Sequence, residues 1–171
     1  MLDLFAFDHR SLIQDFLTCA ICVAAFVWGA GPERAVILIW VVTFEILMVP
    51  YRAMWGASIQ LQTIDVSFVV ADLVAGILWV IVALNANRVY PLFIAALQIL
   101  IVAAHMVRGV IEAISPAAYA VMFTAPGWLQ LVIMAVGLSR HIQRERQYGP
   151  YRDWRSPSPW FTWLSYRWRQ T

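Results

Sequence analysis

Long apolar runs, separated by short polar or turn-forming stretches, divide this chain. The runs cover residues 11–29, 33–49, 65–84, 89–109 and 117–140. A helix of about 20 apolar residues crosses a ~30 Å hydrocarbon core, and in that solvent only helices or closed barrels satisfy their own backbone. Unbroken runs of this length exclude the alternating pattern of barrel strands. The pattern therefore predicts an all-α integral membrane bundle with about five transmembrane helices.

Turn-forming residues mark the ends of the predicted helices. Gly29 closes the first helix, and Pro32 suits the first turn of the second, where a missing N–H group does no harm. The polar residues 85–88 (Asn-Ala-Asn-Arg) join the third and fourth runs into a hairpin. Pro126, followed by Gly127, falls inside the last run and predicts a kink there.

The hairpin of the third and fourth helices carries most of the polar side chains in the predicted membrane interior. If its helices are antiparallel, Asp72 lies at the depth of Ile101 and four residues from the level of His105. Four residues span about 6 Å along a helix axis, which the two side chains can bridge directly or through water. Gln98, His105 and Glu112 are spaced by seven residues, near one helix face. The sequence thus predicts a polar seam in the half of the membrane away from the turn.

This polar seam has two interpretations. Charged groups inside a membrane cost about 2.5–3.5 kcal/mol on insertion scales and normally face a bundle interior or a watery cavity, so the seam can be a proton or cation site built on Asp72 and His105. Polar side chains also hold helices together, at about 0.6–2 kcal/mol per hydrogen bond. Glu45, near the end of its run, also fits a side chain that snorkels to the interface. The candidate residues are Asp65, Asp72, Gln98, His105, Arg108, Glu112 and Glu45.

Composition places the chain among membrane proteins. Of its 171 residues, 62% are hydrophobic and 13% are charged, and the mean hydropathy is +0.71; soluble domains average ~45–50% apolar and ~25% charged. A membrane bundle over residues 1–146 leaves no room for a separate soluble enzyme domain. Cys19 and Cys22 fall in mid-helix, where a thiolate is disfavoured, and are interpreted as small packing residues. The sequence pattern predicts no catalytic set and no metal site.

Charge is distributed unevenly along the chain. All twelve basic residues are arginine, and seven of them lie in residues 140–171 with only two acidic residues. Cytoplasmic ends of membrane proteins carry the excess of Lys and Arg. With five spans and a cytoplasmic C terminus, nine arginines lie inside and three lie outside. The distribution predicts a bacterial inner-membrane protein with its N terminus outside and its polar seam in the outer half.

Residues 147–171 form a basic, aromatic tail that is predicted to lie at the membrane interface. Trp160, Trp163 and Trp168 follow helical spacing, with arginines beside them. Trp, Tyr and Arg collect at the headgroup level, and Trp and Arg are also common anchors of protein interfaces. The tail is interpreted as bound to the bilayer surface or docked on a partner, and a nucleic-acid partner is disfavoured. The residues assigned this role are Trp154, Trp160, Trp163, Arg167, Trp168 and Arg169.

Short motifs are spread over residues 20–146. They are Gly31-Pro-Glu-Arg34, Val70-Val-Ala-Asp72-Leu, Asn87-Arg88-Val-Tyr90-Pro91-Leu, Ala96-Leu97-Gln98 with Ala104-His105, Ala117-Ala-Tyr119-Ala and Leu138-Ser-Arg140-His141. Together they resemble a family of small inner-membrane proteins of sphingomonads and related alphaproteobacteria. The resemblance implies a helical membrane fold and no activity, since that family has no assigned function. The first ten residues and the Trp-rich tail lie outside it.

Two functional hypotheses follow. The first is a structural or accessory subunit of a membrane complex, with the lipid bilayer and other membrane subunits as its partners; it rests on small size, absent catalytic machinery and the tail. The second is a small proton- or cation-handling protein that uses Asp72 and His105, with Asp65 and Glu112 as an outer vestibule. Redox chemistry at the two cysteines is a distant third. The sequence leaves open whether a pigment, quinone or lipid is bound.

Overall fold

Five helices make up most of the chain that the computed structural model describes, which is residues 2–48, 66–111 and 114–155, with the backbone alone for residues 2–12, 116 and 117. In chain order they are α1 (Leu2–Trp28), α2 (Gly31–Trp40), α3 (Val66–Asn85), α4 (Tyr90–Val110) and α5 (Pro116–Tyr148). In these residues the extended pairing is confined to an isolated bridge between Ala86 and Trp154. The all-α prediction is confirmed.

Several helix boundaries follow the turn-forming residues of the sequence, although α1 begins at Leu2, well before the predicted start at residue 11. Pro32 and Pro91 occupy the first turns of α2 and α4, where the missing N–H group of proline leaves no helical hydrogen bond unmade. Ser115 caps α5, because its hydroxyl accepts a hydrogen bond from the Ala118 backbone N–H at 3.2 Å. Gly149 ends α5 with a φ of 77°, in the left-handed region that favours glycine.

The second helix departs from the sequence prediction. An α-helix is predicted over residues 33–49, but α2 ends at Trp40 and the chain continues as a π-helix over Val41–Leu47. The predicted run is therefore helical as far as Met48, but a seven-residue stretch is too short for its pattern to distinguish i→i+4 from i→i+5 hydrogen bonding. Glu45 lies in this π-helix and is partly exposed.

Within the described residues, three helical segments are long and apolar enough to cross a membrane. They are Val66–Asn85, Tyr90–Val110 and Ala118–Tyr148, and they correspond to the third, fourth and fifth predicted spans. The last of them is continuous through Pro126. The apolar part of α1, Ile13–Trp28, is shorter, and α2 has only 10 residues before its π-helical continuation. The count of five membrane crossings therefore stays a prediction.

The helices present apolar side chains outward and keep several polar side chains inside. Large exposed apolar residues occur on every helix, among them Phe16, Leu38, Ile77, Phe93 and Val121. Only 39% of the most apolar window of α3, and the same share of α4, is buried inside the protein. An apolar surface of this extent needs an apolar surrounding. Length, composition and this distribution together define a helical membrane protein.

An aromatic cluster fixes α3 against α2. Trp79 is fully buried, and its indole N–H donates a hydrogen bond to the backbone carbonyl of Val36 at 3.1 Å. Its ring centroid lies 6.0 Å from that of Trp40 and 6.3 Å from that of Phe44 in the π-helix. A buried Trp needs a partner for its N–H group, so the Val36 carbonyl sets the depth at which the two helices meet.

Candidate functional site

A carboxylate and an imidazole meet directly inside the bundle. His105 Nε2 on α4 is 2.8 Å from Asp72 Oδ2 on α3. Asp72 and His105 are only 7% and 4% exposed. The antiparallel hairpin thus brings together two side chains that are 33 positions apart in sequence, and their four-residue difference in depth is bridged without an intervening group.

Two buried glutamines extend this pair across the bundle. Gln98 Nε2 donates hydrogen bonds to Asp72 Oδ1 at 2.7 Å and to the Asp72 backbone carbonyl at 3.0 Å. Gln130 on α5 donates through its own Nε2 to Gln98 Oε1 at 3.0 Å and to the Ile94 carbonyl at 3.1 Å. Because a primary amide both donates and accepts, each glutamine passes the hydrogen-bonded chain from one helix to the next.

Tyr119 on α5 completes the chain on the other side of the imidazole. Its hydroxyl lies 2.6 Å from His105 Nδ1, and the Phe123 ring stacks on the imidazole with 6.0 Å between centroids. With Asp72 ionised and His105 neutral, Nε2–H donates to the carboxylate and Nδ1 accepts from the phenol. Both ring nitrogens then have partners. We call Asp72, Gln98, His105, Tyr119 and Gln130 the Asp72 network.

The Asp72 network has two chemical capabilities. Its hydrogen bonds tie α3, α4 and α5 together in an interior of low dielectric constant, where an unmade hydrogen bond is costly. Its carboxylate, imidazole and phenol can each hold or pass a proton. Among the described residues, no group of three or more His, Cys, Asp or Glu side chains is arranged to hold a metal ion.

A second polar cluster surrounds Arg88 at the end of the bundle that carries the α3–α4 turn. Arg88 Nε lies 3.2 Å from Glu33 Oε1, and Nη2 lies 3.1 Å from Asp153 Oδ1. The same Nη2 is 3.4 Å from His141 Nδ1, and the guanidinium carbon lies 4.0 Å from the centre of the Tyr151 ring. We call Glu33, Arg88, His141, Tyr151 and Asp153 the Arg88 clamp.

His141 on α5 and Tyr151, just beyond the end of that helix, both contact the Arg88 guanidinium. Burial raises the pKa of the Tyr151 hydroxyl, although the nearby Arg88 opposes this shift. The hydroxyl therefore carries its proton at neutral pH and can donate to His141 Nδ1, 3.0 Å away. With the imidazole proton on Nε2, the single lone pair of Nδ1 is shared between the Tyr151 hydroxyl and the more distant Arg88 Nη2–H group.

The chain beyond α5 turns back and pairs with the α3–α4 turn. The Asn87 backbone N–H donates to the Asp153 carbonyl, and the Arg155 backbone N–H donates to the Asn85 carbonyl, both at 2.8 Å. Trp154 packs so closely on Gly31 that a Cβ there would lie 2.9 Å from the indole nitrogen. Residues 149–155, the start of α2, the turn and the end of α5 therefore meet at one place.

The other predicted residues lie in several places. Arg108 donates to the Ile114 carbonyl at 2.6 Å, and its guanidinium carbon is 5.8 Å from the centre of the Tyr119 ring. Trp154, predicted to serve the membrane interface or a partner, contacts the protein's own α2. Cys19 and Cys22 are free thiols on α1. Outside the described residues are Asp65, Glu112, Trp160, Trp163, Arg167, Trp168 and Arg169.

Sequence reasoning missed the α5 members of the Asp72 network and the whole Arg88 clamp. A signal for the first existed, because Tyr119, Phe123 and Gln130 follow helical spacing on α5. The clamp had no comparable signal. Its Arg88 and Asp153 are 65 positions apart, on segments that the pattern does not pair.

No family model, curated protein or solved structure matches this chain. The resemblance to the sphingomonad family therefore stays a prediction. The fold defines the class of this protein as a helical membrane protein. The Asp72 network lies among three apolar helices, and the Arg88 clamp lies at the end of the bundle that carries the α3–α4 turn.

Proposed function

We propose that this chain is an integral inner-membrane protein that serves as a structural or accessory subunit of a larger membrane complex. The observation that carries the proposal is the closure of the Asp72 network. Its carboxylate, imidazole and two amides are hydrogen-bonded to one another. They therefore hold the bundle together rather than facing an open site. A rigid small bundle with apolar outer faces suits a subunit that packs beside others.

The proposed topology places the N terminus outside and the C terminus in the cytoplasm. It rests on the arginine distribution, with seven arginines in residues 140–171. The Arg88 clamp then lies on the cytoplasmic side and the Asp72 network in the outer half of the membrane. Residues 149–155, which belong to the basic, aromatic tail, lie against the clamp and the α3–α4 turn on this face.

The partner proposal is tested by extracting the protein from its native membrane in a mild detergent and determining the mass and composition of the particle. Stoichiometric partner subunits are the expected result. A chain truncated after Arg155 keeps the Arg88 clamp and removes the Trp/Arg tail, and we expect it to fold but to lose part of its partners. Recovery of the full-length protein only as a monomer or homo-oligomer contradicts the accessory role.

Proton handling is the second candidate, and the unbroken chain Asp72–His105–Tyr119 favours it. In proteoliposomes with a pH gradient, the wild-type protein is then expected to carry protons. Asp72→Asn and His105→Ala are each expected to abolish this flux while eluting like the wild type in detergent. Flux that persists in both variants, or no flux in the wild type, rejects this function. Loss of assembly in the variants without any wild-type flux instead supports the structural role.

A further inference from the structure

One carboxylate oxygen of the Arg88 clamp lacks a hydrogen bond. Glu33 Oε1 pairs with Arg88, but Oε2 is buried with no hydrogen-bond partner, in a side chain only 1% exposed. A buried charged oxygen without a donor is costly, because it has lost its hydration and gained nothing in return. Buried polar groups in folded proteins are normally satisfied by protein atoms or by ordered water.

Arg88 has no donor left for this oxygen. A guanidinium carries five N–H groups. The Nε–H group serves Glu33 Oε1, and Nη1 donates to the carbonyls of Asn87 and Arg152. Nη2 serves Asp153 and His141. All five are spent, so the partner of Oε2 comes from elsewhere.

A small cavity of about 10 Å³ adjoins Glu33. Tyr90 and Met134 line it together with apolar side chains of α1, α2 and α5, so Glu33 and Tyr90 are the two residues of its wall that carry polar side-chain atoms able to hydrogen-bond. Gly137 leaves room for the Tyr90 ring, since a Cβ there would lie 2.6 Å from Tyr90 Cγ. The volume is close to the lower limit for one water molecule, which needs about 10–15 Å³ and two or more polar partners.

The cavity also lies close to the Asp72 network. Met134 in its wall is one helical turn from Gln130 on α5, and Tyr90 is one turn from Ile94, whose carbonyl accepts from Gln130. One turn is about 5.4 Å. Between the cavity and the last amide of the network, α4 and α5 contribute the buried side chains of Ile94 and Met134, which form an apolar layer.

We propose that the cavity, which we call the Glu33 cavity, binds a single water molecule that donates a hydrogen bond to Glu33 Oε2 and contacts the Tyr90 hydroxyl. The apolar layer of Ile94 and Met134 separates this hydrated carboxylate from the Asp72 network. The protein thus holds two polar regions along one axis, insulated from each other by about one helical turn. The Glu33 cavity is expected to bind this water molecule whether the protein is an accessory subunit or a proton-handling protein.

The water is detected by infrared spectra of the full-length protein in lipid, hydrated in H₂¹⁶O or H₂¹⁸O. We expect an isotope-sensitive O–H stretching band that shifts in Glu33→Gln, because an amide oxygen replaces the carboxylate as acceptor. Glu145→Gln is the matched control, since it makes the same change at an exposed glutamate of α5, and it is expected to retain the wild-type band. Identical spectra for both variants and the wild type overturn the proposal.

A second variant covers the case in which Glu33→Gln fails to fold. Ala25 also lines the cavity, so Ala25→Val fills the space without changing any residue of the Arg88 clamp. If the cavity holds a water molecule, the Ala25→Val protein loses the isotope-sensitive band and is destabilised, because Oε2 is left without a donor. A dry apolar cavity shows no band to lose, and stability does not distinguish the two cases because the added methyl groups overpack a space this small. The second result overturns the proposal.

The insulating layer is tested by proton leakage in proteoliposomes. Met134→Gln places an amide between the Glu33 cavity and Gln130, and a several-fold faster leak than in the wild type is expected. Met122→Gln makes the same change at an exposed position of α5 and is expected to leak no faster than the wild type. Adding Glu33→Gln to Met134→Gln is expected to remove the extra leak. Equal leakage in the two single variants refutes the layer.

Discussion

Replacing Arg88 by methionine is expected to lower the free energy of unfolding by about 3–5 kcal/mol, the usual cost of removing one partner from a buried ion pair. Arg88 and Glu33 have side chains only 7% and 1% exposed. Without the guanidinium, the Glu33 carboxylate stays buried and loses its counter-charge. The Asn87 carbonyl loses the Nη1 donor as well, and the Arg152 carbonyl keeps only the Asn87 side-chain amide as a donor. Unfolding in detergent micelles, followed by circular dichroism, measures the change.

Two controls separate the buried charge from a general loss of arginine. Arg34→Met removes a neighbouring exposed arginine, and its effect is expected to stay within about 0.5 kcal/mol. The double variant Arg88→Met with Glu33→Leu removes both charges and is expected to recover a large part of the loss. Arg88→Met should also speed proteolytic cleavage within residues 149–155, because Asp153 and Tyr151 lose the group that holds them. An Arg88→Met protein as stable as Arg34→Met contradicts the clamp.

Replacing Asp72 by alanine is expected to cost about 2–4 kcal/mol, because each buried donor left without an acceptor costs about 1–3 kcal/mol. Two N–H donors lose their acceptor, one of the two on the Gln98 amide and the His105 Nε2–H group, while the second Gln98 N–H keeps the backbone carbonyl of residue 72. Neither reaches water, since Gln98 is fully buried and His105 is 4% exposed. The same unfolding measurement in micelles gives the value.

Asp72→Asn is the informative companion of this change. Its oxygen can accept from Gln98 and its amide nitrogen can donate to His105 Nε2 once the imidazole proton moves to Nδ1, so most of the stability is expected to remain. An asparagine cannot release a proton, however. If the Asp72→Asn protein is as stable as the wild type but carries no protons, the carboxylate has a functional role. If the Asp72→Asn and Asp72→Ala proteins are equally destabilised, the hydrogen-bond geometry described for Asp72 is wrong.

Part of the Asp72 network could be predicted because the hairpin is local. A short turn at residues 85–88 forces α3 and α4 to run antiparallel, and the rise of 1.5 Å per residue then converts sequence position into depth. This arithmetic placed Asp72 within reach of His105, and the two side chains meet at 2.8 Å. Tyr119 and Gln130 were outside its reach, because the rotation of α5 about its own axis depends on how the helix packs.

The Arg88 clamp shows the opposite case. Glu33 lies in the first turn of α2 and Arg88 in the polar turn between α3 and α4, and each position fits its local sequence. Their pairing depends on α2 lying beside the α3–α4 turn and on residues 149–155 folding back over it. Sequence separations of 55 and 65 positions leave no local pattern from which either contact could be inferred.

The sequence by itself determined the apolar helices, the apolar surroundings that they require and the antiparallel hairpin, because hydrophobic periodicity, prolines, glycines and chain length act over a few neighbouring residues. Only the tertiary structure decided the π-helix over Val41–Leu47, the partners of Arg88 and the Glu33 cavity. These features depend on which helix faces meet and at what depth. Packing and the pairing of buried polar groups set that choice for the whole bundle at once.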